Sequence, residues 1–245
     1  MTAADTIRHA LDRVAALRSQ VSAGDVRLQQ GLKAVKRLQA QRFAGTYGDL
    51  LATNAFAAPT HFFLHELYSE RDFSDRDQQF ARIAGALQTF FPAQVVATAI
   101  ALAELHAETE ALDLAMAQAW CAVGGDDLPR YVGAWRSVGS LQVRQTQLQA
   151  VLDIGAQLDR LTRTPGLRMS LRMMRGPAKV AGLASLQAFL EAGFDAFAGM
   201  GGKGEQAREF LNIIAKRETH WIEALFNAPV VSCETKLHQC LGKAL

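Results

Sequence analysis

Four groups of side chains carry types and spacings that could do chemistry. His61 and His65 stand four residues apart, so on a helix their rings share one face, as metal-binding pairs do. The His-Glu-x-x-His order is absent, and a third ligand would have to come from His106 or His220. Glu104, His106, Glu108, Glu110 and Asp113 crowd a second stretch. His106 with Glu110 or Asp113 could pass a proton; the alternative is a hydrogen-bonded polar layer with a solvated acidic face. A ferritin-like di-iron site needs Glu-x-x-His pairs on two helices, and the chain contains none.

The third group is Glu66, Asp72, Arg76 and Asp77, read as structural. Ion pairing across a helix start would fix the angle between an aromatic helix and its successor. The fourth is basic. Arg160, Arg163, Arg168, Arg172, Arg175 and Lys179 fall within one stretch that holds no acid. Residues 168, 172, 175 and 179 follow helical spacing, with Leu167, Leu171, Met173 and Met174 as apolar neighbours. Such a stripe suits an anionic lipid, a phosphate or an acidic partner. A solvated face paired with the acids of 104–113 is the plainer alternative. Nucleophilic catalysis finds no Gly-x-Ser-x-Gly, and Gly199-Met200-Gly201-Gly202-Lys203-Gly204 lacks the Walker spacing, so it reads as a turn.

These groups need elements to hold them, and the pattern throughout is helical. Alternating strand patterns and Asn-Gly or Asp-Gly hairpin turns are missing. The spacing predicts helices over about 4–21, 25–43, 59–68 and 74–91. Others are expected over 93–120, 127–136, 138–162, 167–175, 178–198 and 204–227, with a short one after Pro229. Ser74 reads as an N-cap with Asp77 at the capping-box position. Gly176-Pro177 reads as a helix stop. The expected fold is all-α, a single multi-helix bundle of about nine to eleven helices over 1–245. Residues 1–44 could be a basic helical hairpin appendage, since residues 1–45 hold eight Lys or Arg against three acids.

Composition bounds the rest. The chain has 245 residues, 49% of them hydrophobic, enough for one large core. Its net charge of +2 does not by itself argue for nucleic acid, and no nucleic-acid-binding signature accompanies it. Three cysteines without a paired spacing suggest reduced thiols, and the charged N-terminus lacks a signal-like apolar run, so a cytoplasmic location is expected. The uncharged run 83–103 is interrupted by Pro92 and reads as a buried turn, not a membrane span.

At Phe62-Phe63-Leu64-His65-Glu66-Leu67-Tyr68 the chain resembles a bacterial family known by its FFLEELY motif. The similarity extends through Arg71-Asp72-Phe73-Ser74-Asp75-Arg76-Asp77, Glu104-Leu105-His106, and Met174-Arg175-Gly176-Pro177-Ala178. His65 departs from the motif, which has an acid there. The resemblance implies an evolutionary unit and brings no activity with it.

The sequence therefore points to a helical binding protein without evident catalytic machinery. Its ligand would be an anionic or amphipathic, lipid-like molecule, or an acidic protein surface. Arg168, Arg172, Arg175, Lys179, Tyr68 and His106 are the candidate binding residues. The alternative is a metal- or haem-dependent enzyme or sensor centred on His106, with Glu66, Tyr68 and Glu110 around it. No cofactor is specified by any motif, and a homodimer through the basic hairpin is a further expectation.

Overall fold

The computed structural model describes residues 1–67, 69, 71–201 and 204–243. These residues form helices and connections only, so the fold is all-α. The elements are α1 (Ala3–Ala23), α2 (Val26–Leu51), α3 (Ala57–Phe62) running into a π-helical turn (Phe63–Leu67), and α4 (Ser74–Phe90). Then come α5 (Ala93–Ala122), α6 (Asp127–Ser137), α7 (Leu141–Thr162), α8 (Leu167–Met173) and α9 (Arg175–Val180). The chain finishes with α10 (Ala184–Ala198), α11 (Glu205–Asn227) and α12 (Val230–Leu241). Among the described residues no helix is long and apolar enough to cross a membrane.

Local chemistry starts the first helices. Thr2 and Asp5 form a reciprocal capping box on α1, and the Asp25 carboxylate accepts the Leu28 N–H at the start of α2. α5 is the hub. Its Ala- and Leu-rich sequence is apolar on nearly every side, and it packs against α1, α2, α4, α6 and α7. Three apolar clusters surround it. Ile7, Leu11 and Val14 of α1 meet Ala84 and Leu87 of α4. Phe43, Phe63, Val151, Phe197 and Phe210 form a second cluster, and Val35, Met116, Trp135, Ile222 and Leu237 anchor a third.

Four expected boundaries are corrected. α2 runs eight residues past position 43, to Leu51, because α12 packs along its second half. The approach is closest at Gly45, where a Cβ would stand 2.0 Å from the Cys240 carbonyl oxygen. The aromatic helix is not one α-helix but α3 followed by the π-helical turn, a widening frequent at functional sites. Ser74 is the first residue of α4, not its cap. Its N–H and hydroxyl both donate to Asp72 Oδ1, at 2.9 and 2.5 Å. Gly176-Pro177 does not stop a helix. It lies in the first turn of α9, where the missing proline N–H has no intrahelical partner to lose.

Candidate functional site

The polar residues of α5 lie on one rail. His106, Thr109, Glu110 and Asp113 recur at i, i+3, i+4 and i+7, so they share a face. On α2, Lys36, Gln39 and Arg42 recur at three-residue steps. The two helices pack together, so the rails meet. Lys36 Nζ donates to both Glu110 oxygens, at 2.8 and 2.9 Å, and Gln39 Nε2 donates to Asp113 Oδ1 at 3.1 Å. α1 and α4 close the outer end. His106 Nε2 lies 2.8 Å from Asp77 Oδ2, and Arg18 Nη2 is also 2.8 Å from that oxygen. With the His106 Nε2–H given to Asp77, Arg18 at 3.4 Å from the same nitrogen acts as a neighbouring charge, not a second donor to it.

Two carboxyls on the rail titrate in opposite directions. Burial pushes the Asp77 carboxyl up, but the His106 hydrogen bond and the charges of His106, Arg18 and Arg76 outweigh it, leaving Asp77 below the ordinary carboxylate range. Burial also pushes Asp113 up, and the Glu110 charge adds to it. Lys36, Gln39 and Arg144 oppose the rise without cancelling it, and Asp113 ends at about 6.

The rail forms one wall of a cavity of about 140 Å³. Its other wall is apolar, built from Phe62, Phe80, Leu105, Phe189, Phe197 and Phe210. Arg76 lines it too, with its guanidinium over the rings of Phe73 at 4.0 Å and Phe189 at 4.4 Å. Arg76 also donates to the Glu66 carbonyl at 3.1 Å, tying α4 to the π-helical turn. A cavity of about 150 Å³ lined by aliphatic and aromatic groups admits a benzene-sized molecule. A second, inner chamber of about 60 Å³ shares Gln39, Phe63, Thr109, Asp113 and Val151 with the first.

Of the sequence-derived binding residues, His106 lines the cavity. Tyr68 lies outside the described residues. Arg168 donates to Asp195 at 2.7 and 3.1 Å, and Arg175 is ion-paired with Glu191. The acids that meet Arg168 and Arg175 therefore belong to α10, and Arg163 meets Asp159 of α7; neither set is 104–113. Arg172 and Lys179 are exposed, and neither has an ion pair within 4.0 Å among the described residues. None of these four basic residues lines either chamber.

The structural group holds together differently from expectation. Asp72 accepts from Ser74, while Arg76 turns to Glu66 and Asp77. Asp77 faces inward as a buried acceptor because Arg18 and His106 offer it charged partners; it does not cap α4. Of the two arrangements open to His106, pairing with Glu110 or Asp113 or a hydrogen-bonded polar layer, its Nε2 takes the second, on Asp77. The His61 and His65 rings stack at 5.5 Å on the exposed side of α3 and the π-helical turn. Among the described residues no three His, Cys, Asp or Glu side chains converge as a metal set would.

Sequence reading passed over Arg18, Lys36, Gln39, Arg42 and Arg144. The available signal was a pair of matched rails. Lys36 and Gln39 are three apart, as are Glu110 and Asp113. Further inside, Arg42 donates to Glu218 at 3.2 and 2.8 Å, and the Tyr47 hydroxyl donates to Glu218 at 2.8 Å.

Fold and site together define an all-α bundle with an internal cavity, aromatic on one wall and charged on the other. The chain belongs to the family described as a domain of unknown function, DUF8198, whose family model spans residues 18–230. That span takes in both rails and their partners, from Arg18 on α1 to Glu218 on α11. No curated protein and no solved structure matches the chain.

Proposed function

We propose that this protein binds a small amphipathic molecule inside the bundle. The observation that carries the reading is the two-sided cavity, where phenylalanine and leucine side chains face His106, Glu110 and Lys36 across about 140 Å³. An apolar body packs on the first wall, and polar groups of the ligand meet the second. In this reading His106 is a fixed polar contact on the second wall. His106 Nε2 is engaged by Asp77, and the three thiols lie among other contacts, Cys121 with Arg27, Cys233 with Ala224 and Cys240 with Arg42.

Native mass spectrometry of the protein purified from its host tests this directly. So does thermal unfolding against a panel of small apolar acids, alcohols and amines. A ligand at a hundred times its Kd stabilises by about 2.7 kcal/mol, roughly 5–10 °C in Tm for a chain of this size. Leu105→Trp fills the cavity and should remove the shift. A ligand-free mass together with a flat Tm across the panel retires the reading.

A second reading rests on a separate surface. Met169, Met173 and Val180 are 64%, 71% and 92% exposed on α8 and α9, beside the unpaired Arg172 and Lys179. Apolar tips among uncompensated cations suit an anionic lipid surface. Co-sedimentation with phosphatidylserine-containing vesicles, and not with pure phosphatidylcholine, should occur and should be lost in Arg172→Glu and Met173→Asp. Failure to sediment with either vesicle rejects it.

A further inference from the structure

Three buried N–H groups around the inner chamber have no acceptor among the described residues. They are Nε of Arg42 on α2, Nε of Arg144 on α7 and Nε1 of Trp135 on α6. Their residues are 2%, 5% and 6% exposed, and all three line the chamber of about 60 Å³. Native interiors leave few such donors unmet, so three at one small chamber point to a partner that supplies oxygen lone pairs.

Charge narrows what that partner is. Arg42 already has a counter-ion, with both terminal nitrogens on Glu218. Arg144 has none. Its terminal nitrogens reach Gln147 Oε1 and Met116 Sδ, each at 3.2 Å, and its guanidinium lies 4.1 Å from the Trp135 ring centroid. Asp113, the other acid lining the chamber, hydrogen-bonds Gln39 and acts on Arg144 only from beyond ion-pair distance. Water molecules would satisfy the three donors but leave the buried Arg144 without a carboxylate in contact. A guanidinium so placed favours a singly charged acceptor beside it. A planar group with two oxygens suits the arginine N–H donors and the small volume better than a doubly charged tetrahedral anion does.

The chamber adjoins the larger cavity, with Gln39, Thr109 and Asp113 lining both. We propose that it seats the carboxylate of a small hydrophobic monocarboxylic acid whose apolar body lies against the phenylalanines of the larger cavity. This deepens the binding reading above and rests on it. The sequence-derived head-group position at Arg172, Arg175 and Lys179 moves accordingly to Arg42 and Arg144, which are interior where the former are exposed.

The test uses the full chain with 3-phenylpropionate, its neutral analogue 3-phenylpropan-1-ol, and formate, read by calorimetry and by nitrogen–proton NMR. The acid should bind at least tenfold more tightly than the alcohol. It should also shift the Trp135 Nε1–H and the Arg42 and Arg144 Nε–H resonances, which the alcohol leaves in place. Arg144→Met should erase the preference for the acid while the alcohol binds as before. Should that variant not fold, the affinity ratio and the wild-type resonances decide alone. Equal affinity for acid and alcohol, with the three resonances unmoved, overturns the carboxylate seat and leaves the cavity reading standing. Formate moving the resonances as far as the acid does, at equal concentration, also overturns it, as a site for free small anions. Binding of neither phenyl compound removes both readings together.

Discussion

Asp77 on α4 and His106 on α5 meet through a 2.8 Å contact between carboxylate oxygen and ring nitrogen, and Arg18 from α1 reaches the same oxygen at the same distance. One atom thus joins three helices at the outer end of the cavity. Removing the carboxylate leaves a guanidinium and a ring nitrogen without their acceptor.

Asp77→Ala should therefore cost about 3 kcal/mol, the magnitude seen when one partner of a mostly buried pair is deleted. Chemical denaturation at pH 7 checks it. The pH dependence follows from the depressed carboxyl. The native state binds this proton less readily than the unfolded chain, so the stabilisation is complete above the unfolded value of about 4. It is lost as pH falls through the lower native value. Asp77→Asn should flatten that part of the acid limb.

Asp113 predicts the opposite sign. Its carboxyl stands at about 6 in the native state, above an unfolded value of about 4. The native state holds the proton more tightly, so this group makes stability fall as pH rises from about 4 to about 6, with the penalty fully present above that. The charged groups acting on it include Lys36 from α2, Glu110 from α5 and Arg144 from α7. Asp113→Asn keeps an acceptor for Gln39 and removes the ionised form. It should raise Tm at pH 7 and change it little at pH 4, which thermal scans at the two pH values would reveal.

Arg42 and Glu218 form the most buried ion pair described, with Tyr47 as a third member. Glu218→Ala should destabilise by about 3–5 kcal/mol because the arginine is left charged in the interior. Glu218→Gln retains an oxygen acceptor and should cost less. A double-mutant cycle with Arg42→Met would separate the pair from the cost of orphaning one partner.

Gly45 and Gly48 lie on the same helix and should respond oppositely to alanine. At Gly45 the new Cβ would stand 2.0 Å from the Cys240 carbonyl oxygen, which is backbone and cannot rotate away. Gly45→Ala should cost about 1–3 kcal/mol through displacement of α12. At Gly48 nothing lies within 4 Å, so alanine should stabilise by up to about 1 kcal/mol. The two Tm values, measured side by side, test the contact.

The helical class and most helix positions were legible because they depend on residues close together in sequence. The interruption at Pro92 between α4 and α5 and the helix expected over 127–136 are examples. The rail on α5 was half legible. His106, Glu110 and Asp113 showed as a polar crowd on one helix, but local spacing favours pairing them with each other. Their partners come from α1, α2 and α4, and which helices face each other is decided by packing of apolar faces far apart in the chain. Asp77 shows the same limit, since its position in the first turn of α4 fits a capping acid equally well. The basic stretch misled for a related reason. The counter-ions of Arg168 and Arg175 lie on α10, 27 and 16 residues further on, beyond the reach of local spacing, while Asp159, which meets Arg163, stands just ahead of the stretch.

α5, which carries the inner rail, is surrounded by five other helices. A rod enclosed in that way cannot fray independently, so its amide hydrogens should exchange only when the whole molecule opens. Access to the cavity is then a matter of its rim and not of loosening this rod, and Arg76, held over Phe73 and Phe189, belongs to the lining that a guest would meet.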